Sequence, residues 1–314
     1  MEKRILGKTN IAVSPVGIGA SAIGPSGRAR AFAEGARLIR YAVEHGIGFI
    51  DADESPTCCR YIRKALHDLG PSFSQRALPR PVISIRSSAC DYDGMNRAID
   101  DCRIALDLEQ IDVFLLQDVK SPADFVRRDG AWECLGEAKS KGYIKAAGLS
   151  THDTSMATEA AITPGMDVLF SLVNLNDPGV SCAVSAAAAN GVGVAAMGVL
   201  GGGALLKDYV RALDYATGLH GVSSVIIGMG CKKDVDDAVA YTEGRLPEGY
   251  VPEESTSKMH IDLDMCVRCG KCVSYCTYKA FSLGEDGFPV IDTDMCRKCQ
   301  FCMEVCKTRA YLFL

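Results

Sequence analysis

The chain has 314 residues, 48% of them hydrophobic and 23% charged, with a net charge of −5 and no long basic run. That length exceeds one average domain and supports a substantial core, while the acidic balance argues against nucleic acid as a partner. The opening MEKRILGKTN has no apolar h-region, so no secretory signal is expected.

Read in chain order, RILGKTNIAV predicts a short hairpin, and strand-like and helix-like stretches then alternate. Strands are expected at Val16–Ile18, Gly48–Asp51, Val82–Arg86, Ile111–Gln117, Ile144–Ser150, Val168–Asn174, Gly191–Met197 and Ser224–Gly228. Amphipathic stretches fall between them, among them Ala31–His45, Met95–Leu106, Ala131–Lys141 and Lys232–Tyr241. Eight β–α units predict an α/β fold, a closed (β/α)8 TIM barrel. The same pattern also allows a doubly wound open sheet. Pro178–Leu206 has no charged residue and is long enough to cross a bilayer, but Asn190 and its glycines read as helix, turn, strand and loop. No membrane span is expected.

Composition changes at EGRLPEGYVPEESTSK, where proline, glycine, glutamate and serine replace the apolar alternation. The expected division is a barrel over 1–242, a linker over 243–258 and a small α+β module over 259–314.

The module holds eight of the fifteen cysteines and an internal repeat with a period of 30: IDLDMCVRCGKCVSYC and IDTDMCRKCQFCMEVC. Each copy carries C-x2-C-x2-C-x3-C. This spacing sets three thiolates around one 4Fe–4S cubane and sends the fourth to the other. The first cluster would take Cys266, Cys269, Cys272 and Cys306; the second would take Cys296, Cys299, Cys302 and Cys276. Zinc or a degenerate site is the alternative. Thiolate clusters suit a reducing interior, so a cytoplasmic, anaerobic setting and a redox partner protein are expected. Both copies resemble the bacterial two-cluster ferredoxins, although Thr277 and Lys307 stand where that family usually has proline.

The rest of the chain, roughly 4–241, resembles the aldo-keto reductase superfamily. RILGKTNIAVSPVGIGASAIG looks like its opening, and AVEHGIGFID, KGYIKAAGLSTHD, NGVGVAAMGVLGGGAL and VSSVIIGMGCKKDVDDAV follow in the family's order. The resemblance implies NADPH-dependent carbonyl reduction by an Asp–Tyr–Lys–His set. Carried over one by one, the aspartate is Asp51, the tyrosine falls at Pro56, the lysine at Arg86 and the histidine at Gln117. Proline has no proton to give, arginine stays charged and glutamine does not titrate, so the family's general acid is missing. Tyr61, one turn farther along, is a poor substitute.

For the cofactor, the resemblance implies a nicotinamide contact at Ser150 with Thr151 beside it, and Phe170 replaces a usual glutamine. Gly201, Gly202, Gly203, Gly228 and Gly230 either let backbone N–H groups approach a phosphate or are tight turns. Asp234 falls where a base would grip the NADP 2′-phosphate, with Lys232 and Lys233 close enough to compensate. Standard NADPH binding is therefore not the expectation, and a different small-molecule ligand at the mouth is.

Cys58, Cys59, Cys90, Cys182 and Cys231 follow expected strands and would lie at the mouth. They are either a thiol-lined redox or metal site or unrelated small residues; Cys102 and Cys134 read as helix packing. Asp51 and Arg86 would pair, for structure or for anion recognition. His152 is a further weak acid candidate. The expected function is an iron–sulfur electron-transfer protein with a repurposed barrel, a redox component of anaerobic metabolism or of a larger complex. The alternative is an NAD(P)H-dependent oxidoreductase that couples the mouth to the clusters.

Overall fold

Eight parallel strands close on themselves in the computed structural model. It describes residues 1–23, 32–74, 78–176, 178–203, 205–252, 259–276, 278–296, 302, 305, 306, 308 and 310–313. A hairpin of β1 (Arg4–Ile5) and β2 (Ala12–Val13) precedes the ring. The ring strands are β3 (Val16–Gly19), β4 (Phe49–Asp53), β5 (Val82–Ser87), β6 (Ile111–Leu116), β7 (Ile144–Thr151), β8 (Val168–Leu172), β9 (Gly193–Met197) and β10 (Val222–Gly228). They pair in chain order, and β10 returns to β3 with Val225 opposite Val16 and Gly228 opposite Gly19. The closed ring, rather than the open sheet, is the fold.

Helices pack outside the ring: α1 (Phe32–Glu44), α2 (Pro56–Ser74), α3 (Tyr92–Leu106), α4 (Pro122–Val126), α5 (Asp129–Ser140), α6 (Thr154–Ile162), α7 (Ser181–Ala189), α8 (Tyr209–Gly218) and α9 (Lys232–Thr242). Ends are marked by local chemistry. Asp91 accepts the Gly94 N–H at the start of α3, and Asp153 accepts the Met156 N–H at the start of α6; both are side-chain N-caps. The uncharged stretch from Pro178 resolves into a short turn helix, α7 and β9. Among the described residues no helix is long and apolar enough to cross a membrane.

Strand alternation splits the core in two. Side chains such as Ile50, Ile83, Ile85 and Leu169 pack outward against the helices. Phe49, Val113, Leu115, Ala146, Val168, Phe170, Ala195 and Ile226 fill the ring, with Leu6, Ile11 and Val13 of the hairpin closing its N-terminal end. Phe49 and Phe170 meet edge to face at 6.0 Å. Gly7 has φ +57°, and a Cβ there would lie 2.3 Å from the Gly193 nitrogen. Only glycine lets the hairpin seat against β9.

The module beyond α9 is built from β11 (Met259–Ile261), α10 (Lys271–Tyr275), β12 (Phe281–Leu283), β13 (Pro289–Ile291) and β14 (Tyr311–Phe313). β11 pairs with β14 and β12 with β13, both antiparallel. Residues 253–258 of the expected linker, and Thr277, Cys299 and Lys307, lie outside the described residues.

Gly148 fixes how closely β7 and β8 approach. A Cβ there would sit 1.9 Å from the Val168 carbonyl oxygen and 2.8 Å from Leu115 Cδ2. Gly148→Ala should therefore destabilise the barrel by roughly 3 kcal/mol or more. Gly136→Ala in α5 meets nothing within 4 Å and should be neutral or stabilising by up to ~1 kcal/mol. Thermal or urea unfolding of both variants checks the contrast; an equally small effect at both positions would refute the strand-spacing argument.

Candidate functional site

The strands end on one face of the ring, and the residues there form its mouth. Asp51 on β4 and Arg86 on β5 are buried, 2% and 6% exposed, and form an ion pair with Arg86 Nε 3.1 Å from Asp51 Oδ2. The expected pair is thus present. Gln117, just past β6, is half-buried; its N–H donates to Ser87 and its carbonyl accepts from Arg128 Nη1 at 2.9 Å. Glu54, which sequence reading passed over, accepts from the Ser87 hydroxyl (2.5 Å) and from the Ser88 N–H and hydroxyl. It ties the loop after β4 to the end of β5. The acidic run in DADESP was the available signal.

Pro56 is the first residue of α2, where a missing N–H is harmless. It has no proton to give at the position to which the resemblance assigned the donor. The cysteines after it are not in the mouth. Cys58 and Cys59 lie in the first turn of α2, are 0% exposed and pack in the layer between helices and ring. Helical phase turns both toward that layer and corrects the expectation of a thiol-lined loop. Cys102 on α3 is held neutral, its thiol pushed far up by its hydrogen bond to Cys59 and by burial. Cys134 is raised to about 11, chiefly by burial. Cys90 and Cys182 are exposed and Cys231 is half-buried. Among the described residues, no three His, Cys, Asp or Glu side chains gather closely enough to hold a single metal ion. Tyr61 is buried against α1, near Gly35, with its phenol pushed up by burial and then by Cys58.

His152 is exposed and lies 3.4 Å from Asp118 Oδ1. Asp118 adopts φ +49°, uncommon without glycine. Its loop is anchored by Asp124, whose carboxylate accepts from the Lys120 N–H (3.1 Å), Arg128 (2.9 Å) and Arg127 (3.2 Å). Burial pushes the Asp124 carboxyl up, but the Lys120 N–H and the two guanidinium groups outweigh it, and the net shift is downward.

The cofactor side has its polar groups engaged internally. The Ser150 hydroxyl accepts from the Asp118 N–H (2.9 Å), and the Thr151 hydroxyl donates to the Val119 carbonyl (2.6 Å) and accepts from the Asp153 N–H. Both side chains are buried and serve the loops rather than the mouth. After β10, Asp234 Oδ2 accepts from the Gly230 N–H (2.8 Å) and the Cys231 N–H (3.2 Å). A carboxylate of the chain itself thus sits on the N–H that Gly230 was to offer a phosphate, while Gly228 ends β10 opposite Gly19. Lys232 lies over the Tyr41 ring at 4.8 Å and lines a cavity with Arg37, Arg40, Gly230 and Cys231, whereas Lys233 binds Asp237 and the Tyr250 hydroxyl. Gly201–Gly203 form a tight turn, with φ +56° and +95° at its two ends.

In the cysteine module the described parts of the two repeat copies share two local features. Asp262 Oδ1 accepts from the Asp264 N–H at 3.0 Å, and Asp292 Oδ1 accepts from the Asp294 N–H at 2.9 Å. These turns explain why aspartate recurs every 30 residues. The fourth cysteine of each copy accepts a backbone N–H: Ala280 to Cys276 Sγ at 3.3 Å, and Ala310 to Cys306 Sγ at 3.4 Å. Cys266, Cys269, Cys272 and Cys306 line one cavity, with Gly270, Lys271 and Pro289. That is the crossed set expected for the first cluster. Four soft thiolate donors around a cavity, with Arg268 and Gly270 in left-handed backbone beside them, fit an anionic iron–sulfur group. Of the other set, Cys276, Cys296 and Cys302 lie in an apolar cluster around Phe281 that also includes Cys272 and Cys306.

The buried ion pair gives a direct test. Arg86→Met leaves the Asp51 carboxylate without the guanidinium beside it and should lower stability by roughly 3–5 kcal/mol. The double change Asp51→Leu with Arg86→Met should recover most of that loss. Urea unfolding of wild type, both single variants and the double variant measures the coupling; additive effects would show that the pair does not act as a unit.

Comparison with known proteins agrees with this arrangement. Residues 259–282 and 289–312 each match the 4Fe–4S binding domain. Solved structures with the same barrel include an aldo-keto reductase from Pseudomonas aeruginosa, 25% identical, covering 78% of this chain and 95% of that one at a TM-score of 0.64. One from Bacillus halodurans in its holo form is 17% identical, covering 81% and 99% at 0.64. One from Bombyx mori in complex with NADP is 16% identical, covering 78% and 89% at 0.60. A search of curated proteins finds no match. Residues 15–240 match the aldo/keto reductase family over more than half of the chain, and the protein belongs to that family.

Proposed function

We propose that this chain is an iron–sulfur electron-transfer protein whose barrel no longer performs its family's NADPH-dependent carbonyl reduction. It would hold two 4Fe–4S clusters in its cysteine module and a different small ligand at its mouth, and would exchange electrons with a redox partner protein in a reducing, anaerobic compartment. The observation that carries this reading is the cavity shared by Cys266, Cys269, Cys272 and Cys306. When bound, such clusters supply one-electron transfer.

The residues of the barrel support the second half of the reading. A family reaction needs a side chain that gives a proton to the carbonyl oxygen. Pro56 cannot, and Arg86 is committed to Asp51. Gln117 can orient a ligand by hydrogen bonds without titrating. On the cofactor side, Asp234 takes two loop N–H groups and places negative charge where a phosphate would come.

A second reading is an NAD(P)H-dependent oxidoreductase that passes electrons between the mouth and the clusters. It rests on the glycine turn at Gly201–Gly203 and on the NADP held by the Bombyx mori protein of the same fold. An anaerobic titration separates the two. Purified protein should contain about eight iron atoms, as two cubanes require. Its visible absorption should bleach with dithionite and stay unchanged with NADH or NADPH. Bleaching by either nicotinamide would replace the first reading with the second.

A further inference from the structure

The cysteine module meets the barrel through the two tyrosines that flank Cys276. Lys120 Nζ lies 3.6 Å above the centre of the Tyr275 ring. The Tyr278 hydroxyl donates to the Gly201 carbonyl at 3.2 Å. Lys120 belongs to the loop after β6, and Gly201 to the turn after β9. Both loops stand on the face where the strands end. In the closed ring, β7 and β8 separate these strands on one side, and β5, β4, β3 and β10 on the other. Tyr275 and Tyr278 therefore hold the module at two separate points of the mouth, on either side of Cys276 in the sequence.

The anchor on the β6 side is firm. Asp124 accepts the Lys120 N–H, and two arginines hold Asp124. Arg128 also donates to the Gln117 carbonyl, so the loop that carries Lys120 is fastened at both ends. An ammonium over an aromatic face is attracted by the negative face of the ring.

We propose that Lys120 and Tyr278 seat the cysteine module across the barrel mouth, so that the cluster taking Cys276 is the barrel-side cluster and Lys120 raises its potential. The proposal rests on the iron–sulfur reading given above. Lys120 is a positioning residue. Its ammonium stands beside the residue preceding a cluster ligand, and a nearby cation favours the reduced, more negative state of such a group. The cluster taking Cys266, Cys269, Cys272 and Cys306 is then the outer one.

The test uses the full chain, purified anaerobically and labelled with 13C at the methionine methyls. Met197 ends β9 and packs on the ring interior, whereas Met166 precedes β8 at the opposite end. Met265 and Met295 lie within the cysteine loops. On dithionite reduction, the Met197 methyl signal, assigned through Met197→Leu, should broaden or shift with those of Met265 and Met295 while Met166 stays fixed. In an EPR-monitored redox titration, Lys120→Met should lower the midpoint potential of one cluster, the one whose signal Cys276→Ser alters, and Lys120→Arg should restore it. A silent Met197 beside responsive Met265 and Met295 overturns the seating. So does a Lys120→Met shift confined to the cluster altered by Cys269→Ser, or no shift at all. Absence of iron or of dithionite bleaching would instead overturn the iron–sulfur reading itself.

Discussion

Closure of the strand ring by β10 against β3 is the constraint on which the rest of the molecule depends. Hydrogen bonds that run around eight strands leave no edge, and the shared parallel direction puts every C-terminal strand end on one face. Asp51, Arg86, Gln117 and the loops carrying Lys120 and Gly201 come from different parts of the chain and meet for that reason alone. The closure also demands small residues where backbones crowd. Gly148 and Gly193 sit at such contacts, and Gly7 lets the hairpin stopper enter from below.

The proposed loss of the family's carbonyl reduction rests on the contacts that the mouth residues make. A buried carboxylate remains on β4, but its partner is an arginine that holds the charge permanently. The place of the proton donor is taken by a helix-starting proline. The donors of the loop after β10 point at a carboxylate four residues farther along. Each of these residues makes a local structural contact of its own. Both copies of the repeat in the cysteine module match the 4Fe–4S binding domain.

Most of this frame was legible in the sequence. Strand periodicity marked all eight ring strands, and the 30-residue repeat marked the two segments that match the 4Fe–4S binding domain. The pairing of Asp51 with Arg86 followed from their positions at neighbouring strand ends. The misreading of Cys58 and Cys59 has a specific cause. They follow a strand closely, as loop residues do, but Pro56 begins a helix, and the spacing Cys58–Ile62–Ala65–Leu69 places them on its buried stripe. The roles of Ser150 and Thr151 were not legible, because hydroxyls that bond to the main chain of a neighbouring loop look the same in sequence as hydroxyls that face a ligand. Nor was the contact of Tyr278 with Gly201, which joins residues 77 positions apart across two structural units.

The burial of the barrel thiols has a practical consequence for handling the protein. Of the seven cysteines outside the repeat, only Cys90 and Cys182 are exposed; Cys231 is half-buried and the other four are buried. Iron-bound thiolates resist alkylation, and buried thiols do so as well. The folded, loaded chain therefore carries a low and fixed number of reactive sulfurs against a total of fifteen. Any sulfurs that become reactive beyond this background come from the repeat, so a mass-resolved count of alkylated cysteines under native conditions serves as a gauge of how much iron–sulfur a given preparation has lost to air.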